Sequence, residues 1–121
     1  MPVSKSVLVV AAGGALGATV RFILAQQWPG IWTFLAINVV GSLLLGYLAE
    51  MLGPDRPLRL FLGVGVLGGF TTFSTFAVDA VGEDAGRAVL YVTATLLPAL
   101  LAARLGMLVG HRHRRARGAL V

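Results

Sequence analysis

Gly68 to Phe76 reads GGFTTFSTF: two glycines, four hydroxyl residues and three phenylalanines in nine positions. It lies inside a longer apolar run, Leu60 to Val78, that carries no charge before Asp79. A spanning helix takes about 20 mostly apolar residues at a rise of about 1.5 Å each. The run is therefore read as a membrane helix, and its centre as a fault in that helix. Consecutive glycines and β-branched hydroxyl residues are poor helix material. A helix interrupted there leaves amides and carbonyls free. At mid-membrane depth such groups survive only when buried in protein or lining a cavity. Broken helices are where transporters and channels hold ions. The freed carbonyls of Gly68 to Thr72 suit a hard cation, and on a two-fold axis two carbonyls per chain become four ligands.

Three further runs flank this one. Val7 to Val20, Ile31 to Ala49 and Ala88 to Ala103 are all uncharged. The whole chain of 121 residues is 57% hydrophobic and 12% charged, against about a quarter charged in a soluble domain. The expected architecture is all-α: a single four-helix transmembrane domain over 1–121, with spans near 5–26, 31–51, 58–80 and 86–110 and a basic tail at 111–121. Trp28-Pro29-Gly30, Gly53-Pro54-Asp55-Arg56-Pro57 and Gly82-Glu83-Asp84-Ala85-Gly86 are the connections. The first run is not followed by a cleavage site and a polar domain, so it is read as a span and not as a signal peptide. The chain has no cysteine, which excludes disulfides and thiolate metal sites.

An even number of crossings puts both ends on one side with the second connection. Lys5, Arg56, Arg59, Arg112, Arg114, Arg115 and Arg117 all fall there, against Arg87 opposite. The positive-inside rule makes that side cytoplasmic. The tail sequence HRHRRAR is read as an anchor against anionic headgroups, ahead of nucleic-acid binding or a metal site at His111 and His113.

Small residues recur at spacing four: Gly13 and Gly17, Gly14 and Ala18, Gly65 and Gly69, Gly106 and Gly110. They predict close helix packing. Asn38 lies near the middle of the second span, with Ser42 one turn on. Its amide offers donors and an acceptor, for a hydrogen bond between helices or for a ligand. Arg21 either snorkels to the interface or lines an aqueous vestibule. Phe73 and Phe76 share a face, with Thr72 and Thr75 beside them. Periodicity alone reads both rings as packing. Their positive edges could instead face a dehydrated anion.

GGFTTFSTF closely resembles the signature of the CrcB/Fluc fluoride channel family. GGALGATVRF, Gly13 to Phe22, is similar to that family's first-helix motif, which ends in an arginine. TFLAINVVGSLLLG, Thr33 to Gly46, is similar to its second-helix motif with the pore asparagine. Tyr91 and Thr95 fit its fourth-helix pattern. The resemblance implies a homodimer of two oppositely oriented four-helix subunits, with two narrow pores along their interface that pass fluoride passively. It implies a structural sodium ion on the two-fold axis, not itself transported, held by the carbonyls of Gly68 and Thr71. It makes Phe73 and Phe76 the rings along the pore, Asn38 the pore amide and Arg21 the vestibule arginine. Thr72, Ser74 and Thr75 supply hydroxyls on the adjoining turn, and Thr95 with Tyr91 a polar track on the fourth helix. The implied location is the inner (plasma) membrane of the cell.

Some residues depart from the family pattern. Pro98 removes a backbone donor from the fourth helix and is a candidate kink. Ala99 lacks a hydroxyl, and Asp79 stands for the usual glutamate. The charge bias is larger than dual insertion favours, so an oppositely oriented homologue is an alternative partner to a second copy. A small proton-coupled drug exporter needs a buried acid in its first helix, and Val7 to Val20 has none. A membrane assembly protein explains the glycine pairs but not Asn38 together with the break. No set of nucleophile, base and orienting group is present, so the chain is read as a non-enzyme.

Overall fold

The apolar runs become helices because a backbone in lipid must satisfy its own amides and carbonyls. The computed structural model describes residues 1–118; the last three residues of the expected basic tail lie outside the described residues. Four membrane-length helices follow in order: α1 (Val3–Gln27), α2 (Ile31–Met51), α3 (Pro57–Gly82) and α4 (Ala85–Gly118). Gly30 starts α2 at φ 129°, a conformation strained for any residue with a Cβ. Pro57 opens α3, where its missing N–H has no partner to lose. Asp84 opens α4 by accepting the Arg87 amide at 3.0 Å. α4 runs through Pro98 without interruption. It does not end at the edge of the apolar run but continues through His111 to Gly118.

The helices pack as two parallel pairs, α1 with α3 and α2 with α4. Glycine makes both contacts. Gly13 and Gly17 lie against the backbone of Phe61, Gly65, Val66 and Phe70, and Gly69 lies against the backbone of Gly14. Gly46 lies against Ala103, Gly106 against Leu43 and Tyr47, and Gly110 against Tyr47 and Glu50. Most of the small residues singled out by spacing are thus the points of closest approach. Lipid gives apolar helices no reason to associate, so this backbone contact is what holds them. Among the described residues the buried large apolar side chains are Ile37, Leu67, Phe76 and Tyr91. Phe76 and Tyr91 meet where the far end of α3 faces α4, and Ile37 lies toward Leu24 and Phe70.

α3 is the irregular helix. After a first turn it is π-helical over Leu60–Leu67, and the Gly68 amide reaches back to the Gly63 carbonyl. Gly68–Phe70 then returns to α-helical geometry. The chain breaks at Thr71 (ψ 156°) and Thr72 (φ −146°, ψ 121°), and restarts as Phe73–Gly82. The interruption expected over Gly68 to Thr72 is therefore confined to two threonines. Gly68 and Gly69 remain helical, and Gly69 serves the α1 contact instead.

Candidate functional site

Two extended residues inside a membrane helix expose backbone groups that must find partners. Asn38 on α2 supplies two of them. Its Oδ1 accepts the Thr72 amide at 2.9 Å, and its Nδ2 donates to the Thr72 carbonyl at 3.1 Å. Ser42 donates to the Asn38 carbonyl at 2.7 Å, one turn along α2. Arg21 reaches from α1 and donates to the Thr71 carbonyl at 2.9 Å. Thr71 donates its hydroxyl back to Leu67 at 2.9 Å. The Thr72 hydroxyl accepts the Thr75 amide at 3.2 Å and so caps the second limb of α3. It also lies 3.1 Å from the Thr75 hydroxyl and 3.3 Å from that of Ser74. The break releases the carbonyls of Gly68, Gly69 and Phe70 from their helical partners, and the first of them is released by this network. In an unbroken helix the Thr72 amide would bind the Gly68 carbonyl, and here it binds Asn38.

A cavity of about 250 Å³ opens beside the break, lined by Asn38, Ser42, Gly68, Thr71, Thr72, Phe73, Phe76, Thr95 and Ala99 together with apolar neighbours. Aromatic rings run past it. Phe73 and Phe76 have centroids 5.8 Å apart, Phe76 and Tyr91 5.4 Å, and Tyr91 meets Trp32 edge-on at 6.3 Å. The row begins at the surface, with Phe73 76% exposed, passes through the fully buried Tyr91 and ends at the exposed Trp32. Three buried polar atoms have no hydrogen-bond partner among the described residues: Thr95 Oγ1, Tyr91 OH and Asp79 Oδ2. A buried polar atom left unpaired costs about 1–3 kcal/mol. Such groups beside a cavity are suited to a ligand that completes them. A second cavity of about 470 Å³, near Trp28 and Trp32, is lined almost wholly by apolar side chains. Its one hydroxyl, on Thr33, already donates to the Trp28 carbonyl.

Residues 8–107 match the family of CrcB-like proteins, described as camphor resistance (CrcB). The chain belongs to the CrcB-like family. Its relatives include the fluoride-specific ion channel FluC 1 of Rhodococcus jostii, 79% identical over 117 residues, which are 97% of this chain and 94% of that protein. FluC 2 of Leifsonia xyli subsp. xyli is 43% identical over 122 residues, covering 88% of this chain and 83% of its own length. FluC of Agrobacterium fabrum is 37% identical over 121 residues, covering 87% and 95%. All three names are those of ion channels and not of enzymes. With four membrane-length helices, this CrcB-like chain is a multi-pass membrane protein.

Of the residues singled out in the CrcB-like sequence, Asn38, Gly68, Thr71, Thr72, Phe73, Phe76 and Thr95 all line the one cavity. Ser74 and Thr75 belong to the hydroxyl cluster around Thr72. Tyr91 stands behind Phe76, and Arg21 holds the far side of the break. Asn38, left open between hydrogen bond and ligand, makes hydrogen bonds with both ends of its amide and keeps one N–H over. Trp32 is the member of the aromatic row that sequence reasoning missed. Nothing in the sequence places its ring against Tyr91, 59 positions away.

Proposed function

We propose that the chain is a subunit of a fluoride-specific ion channel that lets fluoride leave the cell passively across its plasma membrane. The observation that carries this reading is the unpaired Thr95 hydroxyl, buried in a cavity shared by the Asn38 amide and two phenylalanine rings. A small, strongly hydrated anion gives up its water only to donors and positive ring edges held close. The remaining N–H of Asn38, the Thr95 hydroxyl and the edges of Phe73 and Phe76 form such a set. The N-terminus of the second limb of α3 adds the positive end of a helix dipole at Phe73. The names of the relatives support the choice of ion. Fluoride enters as neutral HF and dissociates inside, so outward flow needs no energy coupling.

The functional unit is a dimer of oppositely oriented chains, formed with a second copy or with an oppositely oriented homologue. Phe73, exposed on one chain, would be covered there. Gly68 and Thr71 would hold a structural sodium ion. The residues fit it. The Gly68 carbonyl is released by the Asn38–Thr72 pairing, and the Thr71 carbonyl keeps one lone pair beside the one that accepts Arg21. Two hard oxygens per chain become four about a two-fold axis. Arg21 opposes a cation at its own oxygen, so binding would depend on the partner's carbonyls. When bound, the ion would supply fixed positive charge and tie the two breaks together.

Efflux from liposomes tests the reading, with valinomycin and potassium balancing charge. Fast fluoride release without chloride release is expected, and it weakens when sodium is replaced by a large organic cation on both sides. A folded, reconstituted chain that releases neither ion, alone or with an oppositely oriented homologue, overturns it. Tyr91→Phe separates packing from conduction. Removing a buried, unpaired hydroxyl leaves stability unchanged or raises it by about 1 kcal/mol. Efflux is expected to fall several-fold. Unchanged efflux would reduce Tyr91 to a packing ring.

A further inference from the structure

The stretch HRHRRAR, His111 to Arg117, takes no part in the cavity and lies beyond the family-matched residues. The structure gives it a fixed orientation. Arg114 Nη2 lies 3.2 Å and His111 Nδ1 3.7 Å from the same carboxylate oxygen of Glu50 at the end of α2. The Tyr47 hydroxyl bonds His113 Nδ1 at 2.6 Å, and the two rings stack. Gly110 lets the backbones meet at this point. These contacts set which way α4 faces as it leaves the membrane.

At 100° per residue, the face turned away from α2 carries Leu97, Leu101, Leu105, Leu108, Arg112 and Arg115 at spacings of three and four, with Arg104 in the same stripe. The four leucines are between 47% and 69% exposed, as lipid-facing residues are. Arg104, Arg112 and Arg115 are exposed too, and among the described residues no carboxylate pairs with them. Counted from Arg87 at the other end of α4, Arg104 lies about 26 Å along the helix and Arg112 about 38 Å. A hydrocarbon core is about 30 Å thick. Arg104 therefore starts inside lipid, on a lipid-facing stripe, where a cation must snorkel or take an anion. Its shortest way out runs along that stripe toward Arg112.

We propose that Arg104, Arg112 and Arg115 bind the headgroup phosphate of an anionic phospholipid whose acyl chain lies along Leu101, Leu105 and Leu108. Guanidinium groups pair with phosphate oxygens through two parallel hydrogen bonds. The leucines are what select a lipid over a free phosphate or a nucleic acid, since only a lipid brings a tail to the same stripe. The site stands apart from the cavity, whatever ion the chain conducts.

Native mass spectrometry of the full chain, purified in detergent and offered phosphatidylglycerol or phosphatidylcholine, tests this. The wild type is expected to retain phosphatidylglycerol preferentially. Each arginine near the surface contributes about fivefold, so Arg104→Gln/Arg112→Gln/Arg115→Gln loses the preference by more than tenfold. Arg87→Gln, at the opposite end, keeps it. If the triple variant is not recovered folded, Arg112→Gln/Arg115→Gln, outside the apolar run, is expected to lose tenfold or more by itself. A variant that keeps the preference, a wild type that has none, or displacement of the lipid by inorganic phosphate overturns the proposal. Tight binding of a single-stranded RNA oligonucleotide with no lipid preference would assign these arginines to nucleic acid and overturn it too.

Discussion

Asn38→Ala is expected to abolish fluoride efflux and to destabilise the fold by about 1–3 kcal/mol, since it leaves the Thr72 amide unpaired. Among the described residues that amide has no acceptor but Asn38 Oδ1, whereas the Thr72 carbonyl, which also accepts from Asn38, still caps the second limb of α3. Water cannot replace the lost acceptor cheaply at this depth. With the amide released, the Gly68 carbonyl is its natural acceptor, and the break can close toward a continuous helix. That rearrangement would move Phe73 and Phe76 relative to α2 and close the carbonyl that the sodium reading requires. Asn38→Asp sharpens the test. A carboxylate still accepts the Thr72 amide but donates nothing to its carbonyl, and it adds a negative charge where an anion passes. Efflux is expected to be lost in both variants, and stability to fall less in the aspartate. Thermal unfolding in detergent and liposome efflux read the two effects separately. An alanine variant with wild-type efflux and an unchanged melting temperature would show that the amide neither holds the break nor faces the ion.

Four spans were legible in the sequence because lipid imposes a simple rule on length and polarity, and Val7 to Val20 or Ile31 to Ala49 satisfies it without reference to any neighbour. The packing pairs were half legible. Spacing four marks Gly13 with Gly17 and Gly106 with Gly110 as close-approach points, yet says nothing of which helix approaches. The π-helical run Leu60–Leu67 was not legible at all. Periods of about 3.6 and about 4.1 leave no trace in a segment that is apolar on every side. The candidate site was legible through Asn38 and the threonines, as polar groups where lipid tolerates none. Two of its working contacts were missed. Arg21 on the Thr71 carbonyl joins residues 50 positions apart, and a side chain donating to backbone leaves no mark in the acceptor's identity. The Glu50 and Tyr47 contacts with the last turns of α4 were missed because the basic stretch was read as a tail and not as helix.

The two glycines of GGFTTFSTF offer the sharpest contrast in the molecule, and the pair of variants Gly68→Ala and Gly69→Ala is expected to behave in opposite ways. A Cβ on Gly69 would fall on the backbone carbonyl, carbon and Cα of Gly14. Backbone has no rotamer to escape into, so α1 must withdraw from α3. Overpacking costs about 1–3 kcal/mol where side chains can shift, and more where they cannot. Gly69→Ala is thus expected to cost about 3 kcal/mol or more, and to be recovered poorly or as aggregate. A Cβ on Gly68 would meet only the Gly63 carbonyl at 3.9 Å, an ordinary contact. Alanine is also the better helix former by about 1 kcal/mol. Gly68→Ala is therefore expected to fold at least as stably as the wild type, while its methyl group enters the cavity wall and slows efflux. Gly14→Ala is a third member of the set. Its Cβ has Gly65 O at 3.9 Å as nearest neighbour, so it too should fold. Size-exclusion profiles and melting temperatures of the three decide between two physical roles for these glycines. If Gly69→Ala alone fails, the glycines work by letting α1 and α3 touch, and the threonines with Asn38 make the break. If Gly68→Ala fails equally, backbone freedom at 68 is itself needed, and the helical geometry of Gly68–Phe70 cannot be the state that matters.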